Sequence, residues 1–388
     1  MLRDDAQNGF ASTAVVFRGD YARVTAADRP GVAQPVPLRE VPQQPWNRIM
    51  LGALLSFVVL LGAWEWRWRD FGVTPGTRNT DALWAIQRRR IDNGEGDAMV
   101  AIGSSRLYFD LQLDVWQKLH GKRPIQLAFE GTTPVPFLED LAADPKFTGQ
   151  LLVGVAPQLF FSGFARHHDA LSYLHKESPS QRVGQWLSMR LIEPYFAFYD
   201  PDFALDTVLK RQAWPERPDL NDFAAVRKLS EQQPDRNTHL WAKVESDPYR
   251  QIARDVWLNH LAPRDDLPPP EKLKQTLDEQ LDRAAKAVEK LRARGVQVLF
   301  VRAPSTGPYL EWETKVFPRE RTWDVLLAKS GAPGIHFQDY PELNQNWYLP
   351  EWSHLARVDA ERFTEGLYRV IQREQPDFLT TAVAERQR

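Results

Sequence analysis

Short apolar runs alternate with amphipathic stretches over much of this chain. Runs of this kind, five or six residues long and mostly apolar, are typical of strands buried on both faces of a sheet. They occupy positions 98–102, 124–129, 150–155 and 296–301, with a shorter run at 334–337. Stretches with helical spacing occupy 80–93, 109–119, 136–141, 271–294 and 360–373. Because strands and helices in this alternation connect by right-handed crossovers, we predict an α/β fold, a three-layer α/β/α sandwich around a parallel sheet.

One apolar run is much longer than the others. Positions 49–64 contain no charged residue, and their flanks extend the run toward the ~20 residues that a bilayer-spanning helix needs. Tryptophans, which are typical of membrane interfaces, stand at positions 46, 64, 66 and 68. We predict a transmembrane helix over 46–68. A buried core helix is the alternative, and a cleaved signal peptide agrees less well because a long segment precedes the run. Arginines flank the run on both sides and do not decide its orientation.

Changes in composition divide the rest of the chain. Positions 1–45 mix charges with a proline-rich end, and we expect a disordered cytoplasmic tail there. The predicted α/β domain occupies 70–375, and a polar tail occupies 376–388. Between about 160 and 270 the alternating pattern is lost, which indicates a largely helical insertion, interpreted as a lid over the sheet edge.

Composition narrows the classes of function. The 388 residues have a formal net charge of −2, which does not favour nucleic acid as a partner. Cysteine is absent, which excludes disulfides, a cysteine nucleophile and a cysteine metal site. His167, His168, Asp169 and His175 could bind a metal, but no second carboxylate is suitably placed. We therefore predict a solvated loop and no metal there.

Two short motifs carry the candidate chemistry. Gly103-Ser104-Ser105 follows the first predicted strand, which places a hydroxyl at the carboxyl edge of the sheet, where ligands bind in open α/β sheets. Far along the chain, Glu351 and His354 stand three residues apart, just before the last predicted helix. An imidazole oriented by a carboxylate is the base half of a nucleophilic triad, and a serine is the other half.

At these residues the chain resembles the SGNH or GDSL-type hydrolases. Their first block is a strand followed by Gly-Asp-Ser, and their last is Asp-x-x-His-Leu before a final helix, matched here with glutamate for aspartate. The resemblance covers about 98–160 and 271–372. It implies Ser105 as nucleophile, His354 as general base and Glu351 as the group that orients the imidazole. It also implies an oxyanion hole formed by the backbone N–H groups of Ser105 and Gly131.

The chain departs from this family at two points. Ser104 replaces the aspartate of the first block, and no asparagine follows Gly154 where the third block normally has one. The Gly-Ser-Ser-Arg variant with an apolar anchor looks more like a branch that includes bacterial exopolysaccharide O-acetylation proteins. That resemblance implies a single-pass inner-membrane protein with a periplasmic catalytic domain. It also implies a glycan substrate, an acyl donor, a multi-span membrane acyltransferase as partner, and no cofactor.

Further candidate residues lie near the carboxyl edge of the predicted sheet. Arg106 and Arg302 follow two strand ends and could bind a substrate carboxylate or phosphate, or form salt bridges with nearby acids. Trp352 could stack on a sugar ring or pack in the core.

Two functions therefore stay open. One is a serine esterase or O-acyltransferase, favoured by the occurrence of serine, glutamate and histidine together. The other is a catalytically weak or inactive scaffold of a polysaccharide assembly, favoured by the absent asparagine.

Overall fold

The computed structural model describes residues 44–164, 169–211, 228–262 and 269–380. The chain divides into two compact units, Met1–Ala63 and Trp64–Arg388. The predicted tail up to residue 43, the His167-His168 pair and residues 381–388 lie outside the described residues. Helix α1 (Trp46–Phe71) begins where the sequence predicted and ends three residues later. Its 26 residues are long and apolar enough to cross a membrane.

The second unit is built on a sheet whose strands are all parallel. The chain has seven described strands: β1 (Val100–Ile102), β2 (Ile125–Gln126), β3 (Gln150–Gly154), β4 (Ser230–Gln232), β5 (Thr238–Leu240), β6 (Gln297–Arg302) and β7 (Gly334–His336). Five of them form the main sheet, in the order β2–β1–β3–β6–β7. Because β1 has β2 on one side and β3 on the other, the strand order reverses at its carboxyl end. This topological switch point is where open α/β sheets bind ligands.

Helices cover both faces of this sheet. The remaining helices are α2 (Asp81–Arg90), α3 (Ser105–Asp110), α4 (Leu113–His120), α5 (Val135–Ala143), α6 (Pro157–Phe160), α7 (Asp169–Lys176), α8 (Pro179–Leu191), α9 (Leu205–Lys210), α10 (Tyr249–Leu261), α11 (Pro270–Arg292), α12 (Gly307–Val316), α13 (Trp323–Ser330), α14 (Arg357–Glu374) and α15 (Pro376–Leu379). Val100 and Ile102 pack into one apolar cluster with α2, α5, α11 and α13, whereas Ala101 packs into another with α4 and α14. This alternation of side chains across the pleat confirms the predicted three-layer α/β/α sandwich.

The insertion is not wholly helical. Strands β4 and β5 pair antiparallel in a hairpin, which the sequence analysis missed because both strands are short and largely polar. The turn between them contains Arg236, whose φ of 67° lies in the left-handed region and whose side chain is fully buried. Its guanidinium lies over the rings of Tyr108 and Phe129 and donates to the carbonyl oxygen of Ala128. Contacts distant in sequence therefore stabilise the hairpin, and no local pattern reveals them.

The predicted polar C-terminal tail begins with an ordered turn. Helix α15 lies at its start, and Phe378 is buried in the same apolar cluster as Ala101. Two adjacent apolar side chains, Phe378 and Leu379, are too weak a signal to distinguish a packed turn from a tail in the sequence.

Two glycines allow α3 to approach the sheet at the switch point. A Cβ added to Gly103 would lie 3.1 Å from the Cα of Gly154, and one added to Gly154 would lie 2.5 Å from the Cβ of Leu107 in α3. Leu107 is buried at this contact. The strand ends therefore lack side chains where the helix that begins with Ser105 crosses them.

We expect Gly154→Ala to destabilise the domain by about 1–3 kcal/mol, because the added methyl overlaps Leu107 and must displace α3. Gly184→Ala is the matched control. A Cβ at Gly184 meets nothing within 4 Å and the residue lies inside α8, so the same change there should be neutral or stabilising. Thermal unfolding of both purified variants checks this, and equal midpoints would contradict the close approach.

Candidate active site

Ser105, His354 and Glu351 form a continuous chain of hydrogen bonds. The Oγ of Ser105 lies 2.8 Å from Nε2 of His354, and Nδ1 of His354 lies 2.8 Å from Oε1 of Glu351. Ser105 begins α3 directly after β1, and the other two residues lie in the loop that precedes α14. The structure thus brings together the two motifs that the sequence analysis singled out. The catalytic roles assigned to these residues stay predictions.

The position of Ser105 distinguishes it from its neighbour. Ser105 is partly exposed, whereas Ser104 is buried, so only the first offers its hydroxyl to a substrate. His354 is buried, and the ring of Phe109 packs against its imidazole with 4.6 Å between centroids. The imidazole therefore presents Nε2 to the serine while its other surfaces are covered.

Glu351 is fully buried, and each of its oxygens accepts hydrogen bonds. Oε1 accepts from the backbone N–H of His354 at 2.7 Å as well as from the imidazole. Oε2 accepts from the indole Nε1–H of Trp257, which belongs to α10 in the insertion. This helix also contacts the loop through Arg254, whose Nε donates to the carbonyl oxygen of Pro350 at 2.7 Å. The insertion thus borders the site and positions the carboxylate of Glu351.

The strand register brings the segment before Gly131 alongside the end of β1. The N–H of Phe129 donates to the carbonyl oxygen of Gly103 at 2.9 Å, which continues the β1–β2 pairing past the strand ends. Gly131 lies two residues after Phe129, and Ser105 lies two residues after Gly103. Gly131 has φ of 60°, a backbone conformation that favours glycine. The oxyanion-hole role of these two N–H groups stays a prediction.

Arg106 and Arg302, for which the sequence left open a substrate anion or a nearby acid, both lie against an acid of the protein. Both are buried, and both pair with the buried Glu313 of α12, at 2.8 Å from Oε1 and 2.7 Å from Oε2. Burial and the charge of Arg106 lower the pKa of Arg302 to about 10. Although burial opposes ionisation of Glu313, the two arginines hold its pKa below the ordinary value. The alternative raised from the sequence, a salt bridge with a nearby acid, describes both arginines.

The ion cluster of Arg106, Arg302 and Glu313 also contacts the loop that carries His354. Arg106 is the neighbour of Ser105, and its Nε donates to Oγ of Ser353, the neighbour of His354, at 3.3 Å. Arg106 therefore links the residue beside the histidine to the ion cluster that Glu313 forms with Arg302.

Asp110, at the end of α3, is a further buried carboxyl group behind the histidine. Its Oδ1 accepts from the backbone N–H of Leu355 at 3.1 Å. Burial raises its pKa to about 7, although the positive charge of a protonated His354 would act in the opposite direction. Nothing in the sequence singles out Asp110, because its partner lies 245 residues away.

Trp352 lies on the loop between Glu351 and His354. Its φ of 72° is left-handed, and its partly exposed indole lies against Gly307, with the Arg254 guanidinium 5.1 Å from the ring centroid. The ring is therefore near the triad and has surface left to contact a substrate.

Comparison with known proteins adds little to these observations. No protein-family model matches the chain, and no curated protein matches it. Among solved structures, one described as the crystal structure of TesA is similar over 71% of this chain and 99% of its own length, with a TM-score of 0.31 and 12% identity. A similarity of this size assigns no function to the chain.

We expect Trp257→Phe to slow covalent labelling of Ser105 by a fluorophosphonate roughly tenfold, because Glu351 loses a hydrogen bond to a buried charge. Trp312→Phe is the control, since its ring contacts His260 and Phe317 but no triad residue. Labelling rates measured by mass spectrometry check the prediction. Equal rates in wild type and Trp257→Phe would show that the insertion does not support the carboxylate.

We expect Asp110→Asn to flatten the pH dependence of stability. With its pKa raised to about 7, folded Asp110 retains a proton that the unfolded chain has already released. The associated stability is complete below the unfolded pKa of ~4 and is lost as pH rises through 7. The melting temperature of the wild type should therefore fall more between pH 5 and 8 than that of the variant. Asp206→Asn, at an exposed carboxylate, should behave as wild type.

Proposed function

We propose that this chain is a membrane-anchored serine esterase or O-acyltransferase that acts on acyl esters, acetyl esters in particular, of envelope or extracellular polysaccharide. The hydrogen-bonded series Ser105–His354–Glu351, with 2.8 Å at each step, carries the proposal. A serine hydroxyl is a weak nucleophile until a base accepts its proton, and this arrangement supplies that base. The same arrangement serves acyl transfer on several unrelated folds.

The first half-reaction would form an acyl-serine. Glu351 accepts a hydrogen bond from the Nδ1–H of His354, which keeps the proton on Nδ1 and leaves the Nε2 lone pair free to accept the proton of Ser105. As Oγ bonds to the ester carbon, the carbonyl oxygen becomes an oxyanion that the N–H groups of Ser105 and Gly131 would stabilise. The carbon–oxygen bond to the alcohol then breaks, and the imidazolium returns its proton to the departing alkoxide.

The second half-reaction would use the same groups. His354 accepts a proton from water or from a glycan hydroxyl, whose oxygen bonds to the acyl carbon. The bond from that carbon to Oγ of Ser105 then breaks, and the imidazolium returns the proton to Oγ. Water yields an esterase, and a sugar hydroxyl yields a transferase. In each half-reaction the buried carboxylate of Glu351 stabilises the imidazolium without taking its proton.

Membrane attachment and substrate class complete the proposal. The length and composition of α1 support a single-pass anchor. The resemblance to O-acetylation proteins supports a periplasmic domain in a bacterial inner membrane, a glycan substrate and a multi-span acyltransferase partner. The partly exposed Trp352, beside the triad, supports stacking on a sugar ring.

A second candidate is a weakly active or inactive scaffold of a polysaccharide assembly. One observation favours it: the residues after β3 are Val155, Ala156 and Pro157, so the asparagine that would donate to an oxyanion here is absent. Loss of one such donor costs about 10²–10³ in rate.

We expect Ser105→Ala to reduce hydrolysis of an acetyl ester by roughly 10³-fold or more, because the nucleophile is lost. His354→Ala should lose a similar factor, and the double variant little more, since the two residues act as a unit. The assays are purified protein with an acetyl-ester substrate, and with an acetyl donor plus glycan.

Ser104→Ala is the matched control, because its side chain is buried beside the site, and it should retain turnover. Activity that persists in Ser105→Ala would place the nucleophile elsewhere. A wild type that is inactive in both assays and that no fluorophosphonate labels would favour the scaffold.

A further inference from the structure

Helix α8 has its apolar face on the outside of the domain. None of its 13 residues is buried. Val183, Trp186 and Leu191 are 55%, 55% and 60% exposed, and with Leu187 they follow the i, i+3, i+4, i+8 spacing of one helical face. Tyr195 and Phe196 extend this exposed apolar surface beyond the helix. We call these six residues the α8 face.

The opposite side of α8 faces the domain with polar groups. Oγ of Ser188 donates to Oε1 of Glu193 at 2.7 Å, and the amide of Gln185 accepts from Oγ1 of Thr80 at 3.2 Å. A helix on the surface of a soluble domain has the reverse pattern, with its apolar stripe toward the core. Single exposed apolar residues are common, but a contiguous apolar face marks a binding surface.

The last turns of α1 hold the α8 face. Glu65 accepts hydrogen bonds from the backbone N–H groups of Ala197 and Phe198, at 2.9 and 3.0 Å. Nη2 of Arg69 donates to the carbonyl oxygen of Tyr195 at 2.8 Å. Glu65 follows the charge-free run 49–64 directly in the chain. The segment that continues α8 is therefore attached where the chain would leave the bilayer.

We propose that the α8 face lies in the interfacial layer of the bilayer that α1 crosses, as a second membrane contact. This inference rests on the proposed anchor. The residue types fit a phospholipid surface, since Trp186 and Tyr195 are interfacial residues and α8 has two arginines and no acidic residue. The guanidinium of Arg190 lies 5.8 Å from the centroid of the Trp186 ring, so a cation and an aromatic stand side by side at the depth of the headgroups.

The chain contains no cysteine, which permits a direct test with the full-length protein. Single cysteines at Leu187 and Leu191 would carry an NBD fluorophore, with Val58→Cys in α1 as reference and Val358→Cys, on the exposed side of α14, as control. Each labelled protein is placed, one chain per disc, in nanodiscs of phosphatidylethanolamine and phosphatidylglycerol, with and without 5-doxyl phosphatidylcholine. We expect blue-shifted emission and at least twofold quenching by the doxyl lipid at 58, 187 and 191, and neither at 358.

Three results would overturn the inference, and they are distinguishable. Quenching at 58 without quenching at 187 and 191 would leave the anchor intact and remove the second contact. A blue shift without quenching at 187 and 191 would show that protein, not lipid, covers the α8 face. Absence of quenching at 58 would reject the anchor itself, and with it this inference.

Discussion

The buried pairing of Glu313 with Arg106 and Arg302 is the constraint on which the site depends. Charges removed from water are tolerated only when they are paired, and removing one member of such a group typically costs about 3–5 kcal/mol. Here one carboxylate faces two guanidiniums, which come from the residue after Ser105 and from the end of β6. Because Arg106 also donates to Ser353, the cluster links the residue beside the nucleophile to the residue beside the base.

Glu351 makes contacts with both of its carboxylate oxygens. A carboxylate three residues before the histidine must reach both the imidazole and the backbone N–H of His354 with one oxygen. The other oxygen of Glu351 then meets the indole of Trp257, a residue of the insertion. The carboxylate thus joins the loop that carries His354 to α10, so the insertion is part of the support of the site.

The sequence predicts those parts of the structure that depend on local patterns, and it does not predict contacts between residues far apart along the chain. The strands around Val100 and Leu151 are predictable because burial on both faces leaves a continuous apolar run. The serine and histidine are predictable because each stands in a short motif next to a strand end or a helix start. The residues that contact these motifs are not predictable from the sequence. Glu313 and Trp257 reach the motifs only after folding, and a single glutamate or tryptophan has no local signature. For the same reason the sequence left open whether Arg106 and Arg302 face a substrate or an acid, because a strand-end position does not show which acid lies near it.

A third apolar cluster connects the candidate active site with the end of α1. It contains Phe109, whose ring packs on His354, together with Trp68 and Phe71 near the end of α1 and Ala197 in the segment after α8. Close-packed interiors transmit displacement rather than absorb it. The histidine and the residues that follow the apolar span therefore belong to one packed body. If the α8 face lies on the bilayer, this packing fixes the height of the Ser105 hydroxyl above the membrane, and that height limits which acyl esters the site can reach.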